Sequence, residues 1–410
     1  MTFNLHHKPM NCQLIFHQRK DTEHVNTCIC PSTEWLAKSS EFFFKQRKVD
    51  VCKLTTPKVY IRVPERDKRP PAEIQAEYLA AARDIHAHTR VDPRRIGSLQ
   101  DTALWFFTER LKHARLVLPK ATVQEGTWLH NCHRGGIQWA VPSQSTEFFK
   151  YDFTSYYASV CHSDLPFPTG APTKHCVEET FDLDTVPAIY RVHVHGRHKL
   201  LKLTPMDCCT KGFVYVTNLD LISCLDLGVS VELADATDGW ANCLKWEPGI
   251  TTARGSAVFG RYVHTFFKMK LAGSKAGKLM LNVLTGLLVQ KDKKHLHGLG
   301  SGAPIDVTRK KIQSLTPDRL TYFASGQHIF TRPHLARLGV FITAHARRKL
   351  IELLLDQNVI DDIVQVHTDG FISRKALPVS CTADSKALGG LKLERTGSAT
   401  VHHVNKVAWD

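Results

Sequence analysis

Residues 364–374 read "VQVHTDGFISR", two short apolar runs with Asp369 as the acidic residue between them. The pattern predicts a tight hairpin with Asp369 and Gly370 as its central pair, since both can take positive φ. A carboxylate at the apex of buried arms has two readings. One is a solvated turn, the ordinary fate of Asp-Gly. The other is a metal ligand, which needs a second carboxylate from elsewhere in the chain.

Asp152, in "FFKYDFTSYYAS" (148–159), is the candidate partner. It closes a strand-like run where Thr154 or Ser155 can open a helix. The two aspartates lie more than half the chain apart, so only tertiary structure can join them. Carboxylates at a strand end and a hairpin apex of one sheet would converge. Such a pair suits hard divalent cations, which take oxygen ligands and leave room for phosphates. A third element is "KMKLAGSKAGKLMLNVLTG" (268–286). Read as one helix, it puts Lys268, Lys275, Lys278, Asn282 and Thr285 within about a 100° arc. A solvated basic face and a surface facing a triphosphate are both open readings.

A chain of 410 residues predicts two or three domains. Lys and Arg outnumber Asp and Glu by 54 to 39, which favours a polyanionic partner, whether nucleic acid or small phosphates. No apolar run is long enough to span a membrane. The start, "MTFNLHHKPMNCQLIF", lacks the pattern of a secretion signal. The dispersed cysteines predict reduced intracellular thiols rather than a disulfide framework. Cys28 and Cys30, with Cys12, His17 and His24 nearby, are a zinc possibility whose spacing fits no standard pattern. Periodicity predicts a helix over 72–88 and strands within 165–250, including "AIYRVHVHG" and "GFVYVTNL". It also predicts a polar insertion over 291–330 and a strong helix in "GVFITAHARRKLIELLLDQ" (339–357).

The order of these segments resembles family B DNA polymerases, most closely the protein-primed branch of phages, viruses and linear plasmids. "DFTSYYAS" is similar to the first palm motif, "KLMLNVLTG" to the fingers motif and "VHTDGF" to the second palm motif. "CHRGGIQW" (132–139) resembles the element linking exonuclease and polymerase regions, and "GVFITAHAR" the palm helix before the second acidic motif. "LGGLKLE" and "NKVAW" resemble the closing palm segment and its lysine. The resemblance implies an α+β fold: a polymerase right-hand core with an antiparallel palm sheet and helical fingers, the thumb largely absent. Its parts would be a basic N-terminal region (1–126), a first palm part (127–254) with an insertion at about 165–250, fingers (255–290), an insertion (291–330) and a second palm part (331–410).

The resemblance also implies roles. Asp152, Asp369 and the Phe153 carbonyl would hold two Mg²⁺ or Mn²⁺ ions, the aspartates being catalytic. Ser155 and Tyr156 would lie against the incoming triphosphate, and Tyr157 under its sugar, favouring deoxynucleotides. Lys278 and Asn282 would meet the phosphates and nascent base pair, assisted by Lys268 or Lys270. Arg134, Gly135, Gly136, Thr368, Lys392 and Lys406 would contact DNA, with Lys406 at the primer terminus. The partners would be template and primer DNA, deoxynucleoside triphosphates and a terminal protein primer, with no membrane. The place would be intracellular: host cytoplasm or nucleus for a viral source.

Departures from the family pattern open alternatives. His367 stands where the first acid of the second palm motif is expected, and a neutral imidazole is a poor partner for Mg²⁺. Val283 and Thr285 replace Ser and Tyr of the fingers motif, and Trp409 is offset by one from the expected tyrosine. Asp21 and Glu23 have the spacing of a first exonuclease motif, without recognisable companions. A catalytically impaired nucleic-acid-binding remnant is therefore an alternative, and an RNA-templated or RNA-making polymerase is another.

Overall fold

A computed structural model describes residues 13–18, 58–63, 69, 71–172, 174–176, 178–183, 187–195, 212–235, 241–291, 294–297, 310–316, 319–324 and 329–410. Of the zinc and exonuclease candidates, Cys12, Asp21, Glu23, His24, Cys28 and Cys30 lie outside the described residues. The chain divides into two compact units, 1–110 with 261–284, and 111–260 with 285–410.

In the first unit, strands β1 (Gln13–Gln18) and β2 (Lys58–Val63) pair in parallel. Helix α1 (Pro71–Thr89) opens on a proline, whose fixed φ suits a first helical position. Gln75, Tyr78, Ala82 and Ile85 recur at helical spacing along it and are buried. Helix α2 (Leu99–His113) is capped by Ser98, whose hydroxyl accepts from the Asp101 N–H at 3.0 Å.

Farther along the chain, α3 (Val123–Cys132) starts at Thr122, which accepts from the Glu125 N–H at 3.1 Å. Strands β3 (Gln138–Ala140) and β4 (Ser143–Phe153) follow, then α4 (Tyr156–Cys161). The stretch expected to be strand-rich holds β5 (Pro166–Pro168), β6 (Lys174–Cys176), β7 (Ala188–His195) and β8 (Val214–Thr217). It continues with α5 (Asn218–Asp226), β9 (Ser230–Leu233), β10 (Cys243–Lys245) and β11 (Thr252–Arg254). The run "GFVYVTNL" is therefore not all strand. Thr217 accepts from the Asp220 N–H at 3.1 Å and turns its end into a helix start. Strands β6–β10–β7–β8 form one sheet in that order, with β9 also paired to β7, while β5 pairs with β11.

The segment read as one basic helix is two, α6 (Gly255–Leu271) and α7 (Lys275–Leu288). Gly273, at φ +86°, ends α6: its N–H bonds the Lys270 carbonyl and the Ser274 N–H reaches back to Met269 at 3.0 Å. Ser274 then caps α7, accepting from the Gly277 N–H at 2.9 Å. Lys268 and Lys270 thus sit on a different helix from Lys278, and the predicted common arc does not form. At Gly277 a Cβ would come within 2.8 Å of the Lys270 nitrogen, so glycine lets the two helices touch. Phe106, Phe107, Tyr262 and Phe266 pack edge to face in this unit, with Phe106 and Phe266 centroids 5.0 Å apart.

Within 291–330, β12 (Lys294–His297), β13 (Lys310–Thr316) and β14 (Arg319–Ala324) form a three-stranded antiparallel sheet. Helix α8 (Pro333–Asp356) confirms the strong helical reading and is buried at every position from 335 to 347. Strands β15 (Ile363–His367), β16 (Gly370–Ser373), β17 (Leu391–His403) and β18 (Lys406–Trp409) follow α8. The order β18–β17–β4–β16–β15–β3 makes a six-stranded sheet, antiparallel throughout. Phe148, Val364, Ile372, Ala399 and Val401 form one buried cluster, with Val407 and Trp409 packed against it.

Two charged residues lie inside the α8 core. Arg337 donates to both carboxylate oxygens of Glu125, one at 2.8 Å, and to the Pro119 carbonyl. Both side chains are almost wholly buried. Removing one partner of such a pair strands the other's charge, at a cost of about 3–5 kcal/mol. Arg337→Met should therefore lower unfolding free energy by about that amount in a denaturant titration. Replacing Arg337 and Glu125 together by methionine should cost less than the single change.

Candidate active site

Strand register places the two aspartates. Gly370 pairs directly with Asp152, so Asp369 abuts the strand end that carries Asp152. The Phe153 N–H donates to the Asp369 carbonyl at 2.9 Å and locks the two segments together. The hairpin itself is shifted by one residue from expectation. His367 pairs with Gly370, leaving Thr368 and Asp369 as the loop. Thr368 takes φ +65° while the Asp369 N–H bonds the His367 carbonyl at 2.8 Å, a positive-φ γ-turn. A β-branched residue there is strained. The Thr368 N–H is held by the Ile137 carbonyl at 2.7 Å, and this external bond helps keep the turn.

Three separate segments meet at Gly136. A Cβ there would lie 2.6 Å from the Tyr157 hydroxyl oxygen and 2.9 Å from the Thr368 methyl. Only glycine fits without displacing one of them. Gly135 meets no such crowding, and its carbonyl accepts from Arg347 at 2.7 Å. Arg347 also reaches the Arg134 carbonyl and clasps Asp220 with two bonds, at 2.8 and 2.7 Å. The Arg134 guanidinium folds back onto the carbonyls of Asn131 and His133. Composition hinted at the Arg347–Asp220 pair only indirectly: an arginine inside an apolar helical run needs a buried partner.

Burial on α4 separates the two neighbouring tyrosines. Tyr156 is 2% exposed, stacks on Phe153 at 4.4 Å and donates its hydroxyl to the Ala346 carbonyl of α8. Its side chain belongs to the core, so only its backbone is left to face a ligand. The Tyr157 hydroxyl faces the Gly136 loop instead, and burial pushes its pKa up to about 12. Ser155 adopts a left-handed conformation just before α4. The adjoining Thr154 is pinned by backbone bonds with Gly389 and Gly390 and by its hydroxyl to the Ser385 carbonyl. Behind them, burial lowers the pKa of Lys349, which lies 5.7 Å from the Phe153 ring and 3.4 Å from the Ser159 hydroxyl.

On the other side of β4, Lys392 pairs in register with Asp152. Its ammonium lies 3.4 Å from the Asp152 carboxylate and 2.6 Å from Glu394, which also bridges Lys150 at 2.9 Å. Lys392 was expected against DNA, yet here it is engaged with carboxylates. Lys406 is exposed at the start of β18. In the first unit, Lys275, Lys278 and Asn282 form an exposed stripe on α7, and Lys268 is exposed on α6.

Both aspartates resist ionisation. Burial raises the Asp152 carboxyl first and repulsion from Asp369 second, with Lys392 opposing. Asp369 is raised chiefly by burial, offset by its own N–H and by His367. Two half-buried carboxylates that repel each other are oxygen donors of the kind a hard divalent cation takes. Among the described residues, no group of three or more His, Cys, Asp or Glu side chains is placed to hold a metal. The described residues also contain no helix long and apolar enough to cross a membrane.

The fold built around this pair is similar to that of a solved DNA polymerase. The chain is similar to solved structures of Phi29 DNA polymerase. Against its complex with primer-template DNA, identity is 18% and the TM-score 0.57 over 87% of this chain and 62% of that one. Against the ternary complex with incoming nucleotides, the values are 18% and 0.56, over 83% and 62%. Against the complex with single-stranded DNA they are 19% and 0.54, over 85% and 62%. The chain thus spans about three fifths of the length of these polymerases. No protein-family model matches the sequence, and no curated protein sequence does.

The raised pKa of Asp369 fixes the sign of a stability effect. The folded protein binds that proton more tightly than the unfolded chain, so ionising Asp369 costs stability, and the cost is present only above the unfolded pKa. With chelator present, Asp369→Asn should raise Tm near neutral pH. The gain should shrink as pH falls through the carboxylate range. A lowered Tm at neutral pH would contradict the electrostatic account.

Proposed function

We propose that this protein is a DNA-directed DNA polymerase of the protein-primed family B type, transferring deoxynucleotides to a primer hydroxyl. One observation carries the proposal: Asp152 and Asp369, from distant segments, abut at adjacent strand ends of an antiparallel sheet in a fold similar to Phi29 DNA polymerase. In this reading the six-stranded sheet with α8 is the palm, and α6 and α7 belong to the fingers.

Asp152, Asp369 and the Phe153 carbonyl would hold Mg²⁺ or Mn²⁺, which would supply activation of the attacking hydroxyl and positive charge for the departing pyrophosphate. The chain's own groups do the rest. The Lys278 and Asn282 stripe meets the triphosphate, with Lys268 and Lys270 as further positive charges. Ser155 and the backbone of Tyr156 line the phosphate side of the palm. Tyr157, held against Gly136, floors the sugar position and leaves no space for a 2′-hydroxyl, the one handle that separates the two sugar classes. The 134–136 loop, Thr368 and Lys406 contact the DNA. The first hydroxyl comes from a terminal protein that primes synthesis.

A template-extension assay with Mg²⁺ or Mn²⁺ tests this. Wild type should extend a primer, and Asp152→Asn or Asp369→Asn should each lower the rate at least about a thousandfold, as loss of a metal-binding carboxylate implies. Extension that survives both substitutions would end the two-aspartate reading. Tyr157→Val should raise ribonucleotide incorporation relative to deoxynucleotide; an unchanged ratio would remove Tyr157 from the sugar gate.

A second reading, a nucleic-acid-binding remnant without catalysis, is favoured by His367 in an acidic position and by the ammonium on Asp152. DNA binding without incorporation, for every primer type and both metals, would support it.

A further inference from the structure

Lys392 lies in the wrong company for a DNA contact. Register alone puts it across from Asp152, because β17 pairs with β4 as Leu391 with Phe153, Lys392 with Asp152 and Leu393 with Tyr151. The strand then bulges between Leu393 and Arg395, so Glu394 is the extra residue. Glu394 holds the Lys392 ammonium at 2.6 Å and is itself held by Lys150 at 2.9 Å. The result is a row of alternating charges, Lys150, Glu394, Lys392 and Asp152, ending at the carboxylate pair. A lysine between two carboxylates 3.4 and 2.6 Å away has its charge compensated twice. It therefore has little left to offer a phosphate.

We propose that Lys392 is a resident counterion of the carboxylate pair: its ammonium occupies a cation position at Asp152 and must withdraw toward Glu394 for the pair to take its full complement of divalent ions. The inference rests on the two-metal reading above and assigns Lys392 a positioning role within it. Three consequences follow from charge alone. Without divalent ions, Lys392 neutralises part of the repulsion between Asp152 and Asp369. As an ion approaches, like charges compete for one carboxylate, so affinity is set below what two aspartates alone would give. Glu394 sets the balance, because it is where the ammonium goes.

The test is divalent-ion binding to the 410-residue chain without DNA, measured by Mn²⁺ electron paramagnetic resonance and by calorimetry, with DNA binding measured separately and folding checked by circular dichroism. Lys392→Met keeps the length of the side chain and removes its charge. It should tighten Mn²⁺ binding about tenfold, the scale of one nearby unit charge at a partly solvated site. Glu394→Gln should weaken binding, because the ammonium loses its alternative partner. Lys375→Met, which removes an exposed charge after β16, should change little and so excludes a general charge effect. Wild type and Lys392→Met binding Mn²⁺ equally well would overturn the counterion role alone. A Lys392→Met variant with unchanged Mn²⁺ affinity but weakened DNA binding would overturn it in favour of a phosphate contact. No Mn²⁺ binding by either protein would overturn the two-metal reading, and this inference with it.

Discussion

The guanidinium of Arg347 gathers four acceptors from two segments: both oxygens of Asp220 and the carbonyls of Arg134 and Gly135. It projects from the most deeply buried stretch of α8, where an unpaired charge would be very costly. The buried position of Arg347 therefore depends on α5 and the 134–135 loop being closed around it. That closure sets Gly136 beside Tyr157 and Thr368, and Thr368 in turn shapes the turn that presents Asp369. The carboxylate pair thus stands at the end of a chain of constraints that begins with one arginine in an apolar helix. Asp220 is prepared for its part locally, since Thr217 holds both its N–H and its carboxylate.

Electrostatics at the sheet end run against stability. Two carboxylates are half-buried where they repel, a turn keeps a threonine at positive φ, and a lysine is drawn into the carboxylate cluster. A protein under pressure for stability alone would carry asparagines and a glycine here. Such sites are where folding free energy is given up to hold groups ready for a ligand. The remainder of the sheet compensates with ordinary means: the Phe148, Val364 and Ile372 cluster on one face, and Tyr151 stacked on Phe371 at 5.2 Å.

Much of this was legible in the residues. A carboxylate between apolar runs marked Asp369, a carboxylate at a strand end before a helix start marked Asp152, and the 339–357 periodicity marked α8. What escaped did so for physical reasons. The hairpin register slipped by one because Asp-Gly is the better turn former, whereas the fold imposes the turn on Thr368 through a bond to Ile137. The break between α6 and α7 was present as Gly273 and Ser274, a stop beside a cap, but the basic spacing suggested continuity. Residue type alone does not say which of Tyr156 and Tyr157 is buried. Only packing against α8 decides which one is core. Lys392 could not have been placed at all, since its partner is chosen by strand register across most of the chain.

Gly136 has one more implication, for how such a chain can diverge. Its missing side chain is filled from two sides, by the Tyr157 hydroxyl and by Thr368. Neither of those residues can be enlarged independently, and Gly136 cannot change at all unless the space they occupy is vacated. Across related chains the three positions should therefore drift as a linked set: an alanine at the first should be found with a smaller ring or a reshaped turn at the others. Any change of side-chain size at position 157 would have to pass through that same lock.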